Sequence, residues 1–413
     1  MAVVGAGAAG LMTAIQARTG AQADVLLLDG ARAPGAKILV SGGSRCNVTN
    51  TIVTERDYWG GRRPIVRRIL RAFPVTDTVA FFDAHGIALR EEDEGKLFPV
   101  SNRSRDVLDA LLRAAEDAGV ALHASTRVTT VTRVGPAFRV ETSRGAVAAR
   151  FVVLATGGLS LPKTGSDGGG YEIARTLGHT IVAPTPALAP LLLADEGPFA
   201  IHRDLAGVSH EVELAIWIDG AVGVTLGGAL LWTHFGISGP VVLDASRHWA
   251  RATLEGRDVE LTASFYPGRS FDRIDEQWID RARTRPTSTI RSSLASDVPA
   301  AVADAVLQSL SLDANQVLAK LSRDDRRRLV HALVGWPLAV RETRGYNYAE
   351  VTAGGVELTE IDPASMESRR CPGLFLVGEI LDVDGRLGGF NFQWAWSTGK
   401  VAGTAIRLAV SIQ

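Results

Sequence analysis

The chain opens on Ala2–Val4, a short apolar run that glycine ends at once, and it reads as a β-strand. Gly5–Gly10 (GAGAAG) then forms a turn of small residues, Leu11–Thr19 a helix, and Val25–Leu28 a second apolar strand. Residues 61–84, GRRPIVRRILRAFPVTDTVAFFDA, predict a helix interrupted at Pro74, with its arginines on a solvated face. Residues 104–119 predict an amphipathic helix, because Val107, Leu108, Leu111, Leu112 and Ala115 recur near the helical period. Three short strand-like runs follow within 126–153: TRVTTVTRV, AFRVET and VAARFVVL. The composition shifts near Pro184–Pro190. Leu191–Phe265 reads as mostly β, with turns at Asp219-Gly220 and Gly227-Gly228. Residues 271–333 read as charged helices, the arginines of RDDRRRLVHAL being a solvated face. From Thr352 the α/β alternation returns, and it ends in a helix over Gln393–Ala409.

This order predicts one α/β domain built from both chain ends, 1–187 with 346–413. A β-rich part, 188–270 with 334–345, is inserted into it, and a helical part, 271–333, is inserted in turn. A chain of 413 residues is long enough to divide in this way. The hydrophobic share of 46% and charged share of 22% are those of a globular protein. Basic and acidic residues nearly cancel, 44 against 45, so the net charge of −1 exerts no global pull on nucleic acid or anionic lipid. Two cysteines, Cys46 and Cys371, exclude a disulfide scaffold and a cysteine-rich zinc module. The eight histidines are scattered and show no metal-ligand spacing, so no metal is expected. No apolar run reaches the roughly 18–20 residues of a membrane span. Ala2–Ala17 resembles a leader core but lacks a preceding basic residue, so a cytoplasmic location is expected. The shortness of the first strand leaves the true start open.

Gly5-Ala6-Gly7-Ala8-Ala9-Gly10 matches G-x-G-x-x-G where that pattern has meaning, after a strand and at the opening of a helix. Gly5 permits the turn, Gly7 lets backbone approach a pyrophosphate, and Gly10 lets helix and strand pack closely. The helix N-terminus offers unpaired N–H groups to phosphate. Asp29 ends the second strand, where a carboxylate can accept from an adenosine ribose. Further polar, glycine-rich segments follow: a loop from Gly35 to Asn50 with Lys37, Arg45 and Asn47 as donors, then Leu154–Gly158, Gly378-Glu379 and Gly388–Asn391. Their distribution suits a long cofactor extended across one domain.

GAGAAGLMTA, KILVSGGSRCNVTN, GKLFPVS, ATGGLSLPKTGSDGGGYEIARTLGH, THFGISGPVVL, AEVTAGGVELTEIDPASMES and PGLFLVGEILDVDGRLGGFNFQWAWSTGKVAG together resemble the bacterial BaiN/RdsA-like flavoproteins, also called aminoacetone-oxidase-family FAD-binding enzymes. The blocks span nearly the whole chain. Ser44 stands where the family typically has Gly, and Phe390 where it has Tyr. The resemblance implies a Rossmann-like FAD-binding domain of glutathione-reductase/fumarate-reductase type, with an inserted β-barrel-like domain and a helical one. It places Gly5, Gly7, Ala8, Ala9 and Gly10 at the pyrophosphate and Asp29 at the ribose. Lys37, Ser41, Gly42, Arg45, Cys46 and Asn47 fall near the ribityl and isoalloxazine, and Val128 at adenine through its backbone. Thr156 and Gly157 fall on the pyrophosphate side; Gly378, Glu379, Asp384, Gly389, Phe390 and Asn391 approach the ribityl and pyrimidine end. The N-terminus of the last helix, near Gly389–Phe392, would face the flavin edge that gains negative charge on reduction.

His234, in the family block Thr233-His234-Phe235-Gly236, is the candidate acid or base. Against it stands the reading of a structural turn histidine. Cys46 reads as a small loop packer rather than a thiol catalyst, since Cys371 lies far away in sequence. Lys163 and Tyr171 flank a glycine-rich turn and carry little argument; Trp394 and Trp396 read as packing. The expected function is an FAD-dependent oxidoreductase passing a hydride or electrons through flavin N5. The exchange runs between a small organic substrate and a second redox partner, NADH or NADPH, bound transiently because no second G-x-G-x-x-G exists. The alternatives are a flavoprotein of tRNA modification, a flavin-dependent amine oxidase and a non-catalytic flavin-binding protein. A clustered basic surface would support a nucleic-acid partner; the net charge argues against one. The sequence leaves the oligomeric state open.

Overall fold

The computed structural model describes residues 1–20 and 24–411. Two units result, Met1–Pro184 with Glu350–Gln413, and Thr185–Ala349.

Five short strands make the parallel sheet of the first unit. Across the sheet they run Leu374–Leu376, Val152–Leu154, Ala2–Val4, Leu26–Leu28 and Ala121–His123. In chain order this is 3-2-1-4-5, the doubly wound Rossmann arrangement. Ala2–Val4, Val152–Leu154 and Leu374–Leu376 are fully buried, so their unbroken apolar runs follow from cover on both faces. Two runs that read as one strand, within VAARFVVL, divide: Gly145–Ala149 joins an antiparallel three-stranded sheet, while Val152–Leu154 enters the parallel one.

The first helix, Ala8–Arg18, is buried from Ala9 to Ala17 and lies against the last helix, Phe390–Ser411. Their approach is close: a Cβ on Gly399 would stand 2.7 Å from the Ala9 carbonyl oxygen, and one on Gly403 would stand 2.6 Å from that of Thr13. The helix expected over 61–84 is two, Arg63–Ala72 and Val75–Ala84. Pro74 forces the break: Phe73 before it leaves the helical region at φ −149°, ψ 82°. The helix Ser104–Asp117 buries Val107, Leu108, Leu111 and Ala115 as its periodicity predicts.

The second unit carries a seven-stranded antiparallel sheet. Its order is Trp336–Leu338, Val259–Ser264, Ser209–Ile218, Ala221–Thr233, Gly236–Ser238, Leu191–Leu193 and Val340–Thr343. Asp219-Gly220 is the two-residue hairpin turn the sequence signals, both residues at positive φ. Gly227-Gly228 is not a turn: the pair lies inside Ala221–Thr233, bonded across to Glu213 and Val212, because ladder pairing overrides the local signal. The stretch read as mostly β also holds a helix, Pro240–Leu254, which buries Val241, Val242, Ala245, Trp249 and Ala250. The helices Phe271–Thr284, Ile290–Leu294 and Arg323–Val334 are each started by a side-chain cap, from Ser270, Thr289 and Ser322. They share one hydrophobic core with the sheet, centred on Trp232, Trp278 and Trp336.

Among the described residues, no helix is long and apolar enough to cross a membrane. Nor does any group of three or more His, Cys, Asp and Glu among them have the arrangement of a metal site.

Candidate functional site

The strand order of the first unit reverses beside Ala2–Val4, and in such sheets ligands sit outside the carboxyl ends of the strands at that point. Gly5 leaves the first strand there at φ 102°, so close to the fourth that a Cβ would stand 2.4 Å from the Ala155 carbonyl oxygen. A Cβ on Gly10 would meet Gly5 itself, closing helix onto strand. Gly7 differs from both, since a Cβ on it would meet only open space. Gly7 is the N-cap of Ala8–Arg18, and that helix has neither a capping side chain nor an acidic residue in its first turn. The partial positive charge of that helix end therefore meets neither a capping side chain nor a carboxylate of its own first turn. This is the shape and charge a pyrophosphate requires.

Asp29, at the end of the second strand, accepts from Ala6 N–H through Oδ2 and from Ala31 N–H through Oδ1, both at 2.7 Å. Each oxygen keeps further acceptor capacity. The carboxylate thus ties the glycine turn to the second strand and stays available to a hydroxyl. Val128 opens the strand Val128–Val134 beside an irregular register step, half-buried.

Around Lys37 the chain assembles a polar hub from four separate blocks. Lys37 Nζ donates to Ser160 Oγ and to Glu379 Oε2; Ser160 Oγ donates to Glu379 Oε1 at 2.8 Å, and Thr352 N–H donates to the same oxygen at 3.0 Å. Thr352 Oγ1 in turn accepts from the N–H groups of Leu159 and Ser160 at 2.8 and 3.0 Å. Lys37 and Glu379 keep 25% and 17% of their side-chain surface, so the pair is largely shielded. Two of the three ammonium protons are engaged, which leaves one donor for another group.

The segment after Lys37 is not a simple loop. Ala36–Ser44 begins as a helix and breaks at Ser41, after which Gly42, Gly43, Ser44 and Cys46 all take positive φ. Ser44, where the family has Gly, therefore sits at φ 66°, in the region that favours glycine. Ser41 Oγ donates to the Ile38 carbonyl. Cys46 is fully buried, and that burial pushes its thiol up to about 12, which removes it as a nucleophile. Arg45 makes both bonds to Glu92, at 2.8 and 3.0 Å, and lies over the Phe98 ring.

The start of the last helix is held from several directions. Gly389, at φ 91°, passes so near Thr49 that a Cβ would stand 2.5 Å from its carbonyl oxygen. Asn47 accepts from Gly389 N–H at 3.0 Å and donates to the carbonyls of Thr49 and Leu97. Asn391 folds back on Gly385, accepting from its N–H and donating to its carbonyl. Phe390 is fully buried, edge-on to Tyr58 and under the Arg386 guanidinium, and the Tyr58 hydroxyl donates to the Phe390 carbonyl at 2.8 Å. Gly378 is clamped to the same helix, its N–H by Thr398 and its carbonyl by Trp394. Trp394 and Trp396 are buried packing residues whose indole N–H groups are both bonded. Asp384 is 1% exposed, in the strand Val383–Gly385 that pairs with Tyr58–Gly60. On the sheet side, Thr156 and Gly157 follow Val152–Leu154; a Cβ on Gly157 would meet Ser166, and one on Gly170 would meet Thr156.

The structure therefore joins Lys37 to Glu379 and Asn47 to Gly389, and sets Asp29 against the Gly5–Gly10 turn. His234 belongs to the second unit, in the tight turn between Ala221–Thr233 and Gly236–Ser238, edge-on to Phe235. Sequence reasoning missed Ser160, Thr352 and Gln393. The first two lie inside quoted family blocks, and the threonine before the glycine pair in Val351-Thr352-Ala353-Gly354-Gly355 was a readable signal. Gln393 left none: its buried amide accepts from Thr49 and Thr78 and donates to the Phe73 carbonyl, partners remote in sequence, and to Ser397 one turn on in the same helix.

A family model described as the HI0933-like protein Rossmann domain matches residues 1–405. A 3-dehydro-bile acid delta(4,6)-reductase of Clostridium scindens is 32% identical over 98% of each chain. A ribosomal RNA dihydrouridine synthase of Escherichia coli is 33% identical over 96% of this chain and 95% of its own. Among solved structures, Mycobacterium smegmatis Sdh1 in complex with UQ1 superposes with a TM-score of 0.50 at 15% identity. It covers 100% of this chain and 69% of that one, a likeness of fold alone.

Proposed function

The chain belongs to the HI0933-like Rossmann family, and from that premise we propose that it is an FAD-dependent oxidoreductase that saturates a ring carbon–carbon double bond, with NADH or NADPH as the electron donor. The single observation that carries the cofactor is the uncapped N-terminus of Ala8–Arg18, open in front of Gly7, with Asp29 at the end of the neighbouring strand. The direction of the chemistry rests on the two curated relatives, whose names both describe the addition of two hydrogens to a ring double bond.

In this reading Gly5, Gly7, Ala8, Ala9 and Gly10, with Thr156 and Gly157, hold the pyrophosphate. Asp29 holds the ribose, and Val128 meets adenine through its backbone. Lys37, Ser41, Gly42, Arg45, Asn47, Gly378, Glu379, Asp384, Gly389 and Asn391 surround the ribityl and ring end. Cys46 and Phe390, being buried, contribute backbone and packing. FAD, when bound, supplies the hydride chemistry. The chain's own part is to position and to stabilise charge. The N–H groups at the start of Phe390–Ser411, fixed through Gly389, Asn47 and Asn391, are preorganised donors for negative charge. Glu379 and Ser160 hold the Lys37 ammonium in place, with one proton left for an acceptor. His234 is the candidate proton donor, and His234→Gln should then lower turnover about 100-fold while flavin reduction persists.

The test is an anaerobic visible spectrum of the protein after addition of FAD, then NADH, then NADPH. A flavin band that one nucleotide bleaches, and that a cyclic enone or uridine-containing acceptor restores, is the expected result. Absence of a retained flavin band would overturn the cofactor. A band bleached by amines and not by either nucleotide would overturn the direction of electron flow.

A further inference from the structure

Arg344 follows the strand Val340–Thr343 in the second unit and is half-buried. Arg281 and Arg326, half-buried in the same unit, meet Asp297 and Asp275. Arg344 differs from them: among the described residues it shows no ion pair and no side-chain hydrogen bond. Its guanidinium carbon lies 4.1 Å from the ring centroid of Phe235 and 3.6 Å from that of Tyr348. The two rings cover its flat surfaces and leave its N–H edge free. A cation drawn partly out of water without a carboxylate is costly to keep. Such a group is set for an acceptor that arrives with a ligand.

The same stack carries His234. Phe235 follows it in the turn between Ala221–Thr233 and Gly236–Ser238, and the two rings stand 5.1 Å apart, edge to face. That turn is held in place. The Phe235 carbonyl accepts from Leu193 N–H at 3.2 Å, and a Cβ on Gly236 would meet the Leu191 carbonyl. Arg344 is tied to the other edge of the same strand, its N–H donating to the Pro190 carbonyl at 2.9 Å. Backbone bonds on both edges of Leu191–Leu193 therefore fix Phe235 and Arg344 relative to each other. Solvent reaches the assembly from outside: His234 is exposed, and Tyr348 is 50% exposed. A fixed cation and an accessible imidazole thus share one ring between them.

We propose that Arg344 binds the carbonyl oxygen of the acceptor and neutralises the negative charge which that oxygen gains during reduction, with Phe235 and Tyr348 as its positioning residues. This deepens the reductase reading and rests on it, including His234 as proton donor. A hydride from reduced flavin joins the β-carbon of a ring double bond conjugated to the carbonyl. The π pair of that double bond moves toward the carbonyl carbon, and the carbonyl π pair moves onto oxygen, giving an enolate. A proton from His234 then joins the α-carbon, the C=O bond re-forms, and the ring is left saturated at both carbons. The oxyanion exists only between these two transfers, so a donor fixed in advance acts where it lowers the barrier most.

The probe is 4-nitrophenol, a flat ring whose phenolate carries its charge on oxygen as an enolate does. Oxidised, FAD-loaded protein is titrated with it at pH 6, where the free phenol is mainly neutral, and the phenolate band is read from difference spectra. Four proteins are compared: the natural chain, Arg344→Gln, Tyr348→Phe and Tyr348→Ala. The natural chain should hold the probe as phenolate. Arg344→Gln should lower the ratio of bound phenolate to bound phenol about 10- to 150-fold. Tyr348→Phe keeps the ring and should keep the ratio, whereas Tyr348→Ala, at an exposed position that folding tolerates, should lower it. In turnover of a cyclic enone, Arg344→Gln should lose about 100- to 1000-fold in kcat with a smaller change in KM. No phenolate band in the natural chain would overturn the proposal, and so would the same ratio in Arg344→Gln. Equal ratios in Tyr348→Ala and Tyr348→Phe would remove Tyr348 from the site. No nucleotide is present in the titration, so the two readings fail separately. A band that depends on Arg344, in a protein whose flavin neither NADH nor NADPH bleaches, would leave the oxyanion site standing and sink the reductase reading. A bleached flavin without such a band would do the reverse.

Discussion

Lys37 and Glu379 are 342 residues apart in sequence and form an ion pair, with the Ser160 hydroxyl bonded to both. The pair connects the segment after the second strand to the one after the fifth. Glu379→Gln can keep the bonds from Ser160 and the Thr352 N–H but leaves the Lys37 ammonium uncompensated in a largely shielded place. A fully buried pair broken on one side costs about 3–5 kcal/mol; with a quarter of Lys37 still in solvent, about 1–3 kcal/mol is expected here. Lys37→Met together with Glu379→Gln should cost less than the two single changes summed, with a coupling of about 1–2 kcal/mol. Urea unfolding of the four proteins measures it. A coupling near zero would mean that the pair does not hold these segments together.

Asp29 has two tasks that substitution can separate. Asp29→Ala strands the Ala6 and Ala31 N–H groups, which costs the FAD-free protein about 1–3 kcal/mol. It also removes a charged acceptor for a ribose hydroxyl, so FAD affinity should fall a further 10- to 150-fold, about 1.5–3 kcal/mol. Asp29→Asn keeps one acceptor oxygen where the carboxylate offers two, so one of the two N–H groups is left facing an amide NH2, and it should recover only part of the stability and part of the affinity. Unfolding without FAD and FAD titration together decide. Loss of stability with unchanged FAD affinity would make Asp29 a lock for the glycine turn alone.

What the sequence made legible were features whose cause is local. Ala2–Val4 and Val152–Leu154 are apolar throughout because both faces are covered, and the glycines of Gly5–Gly10 announce a tight turn before a helix. Asp219-Gly220 announces a hairpin by the same logic. What stayed hidden depends on distant partners. Gly227-Gly228 carries the same local turn signal but is captured by pairing to Val212 and Glu213. Pro240–Leu254 has a helical burial pattern that was masked by the β-rich stretches on both sides. Ser160, Thr352 and Glu379 gather around Lys37 only because a bend, the strand Val351–Val356, the turn Gly378–Ile380 and the helix Ala36–Ser44 converge from four distant parts of the chain. No spacing in the chain encodes that meeting.

Gly399 tests the contact between the first and last helices. In an exposed helix Gly→Ala is stabilising by about 1 kcal/mol. Here the added Cβ would stand 2.7 Å from the Ala9 carbonyl oxygen, and backbone on both sides must move. Gly399→Ala should therefore destabilise by about 1–3 kcal/mol, and it should weaken FAD retention, because Ala9 lies in the first turn behind Gly7. Ser44→Gly is the converse. It relieves a residue held at φ 66° and should raise stability by about 0.5–1 kcal/mol. Thermal unfolding of both variants shows the signs; two changes of the same sign would refute the packing argument.

Acid should unfold this protein earlier than its carboxylates alone would dictate. Burial holds His179, His202, His210 and His248 below the ordinary histidine value, His248 down to about 4 with Arg247 adding to the effect. The surroundings of His179 also fix its tautomer. Ser368 Oγ accepts from the N–H groups of Arg370 and Cys371, so its proton goes to His179 Nε2, and His179 Nδ1 donates to Glu360. That arrangement needs a neutral ring. Burial of Glu360 opposes its ionisation, but bonds from Thr180, His179 and Arg370 outweigh this and hold its carboxyl low. The unfolded chain takes up protons on histidine below about pH 6.5, where the folded chain does not. Stability is therefore fully present above that value and is lost as pH falls, by up to about 1.4 kcal/mol per pH unit for each proton. The Glu360 contribution disappears later, below the ordinary glutamate range. Urea midpoints at pH 8, 6.5, 5 and 4 should fall from 6.5 downward. His248→Gln should flatten that fall by up to one proton between 6.5 and 4. A fall that begins only below pH 4.5, or a slope untouched by His248→Gln, would show that the folded protein already holds these histidines protonated.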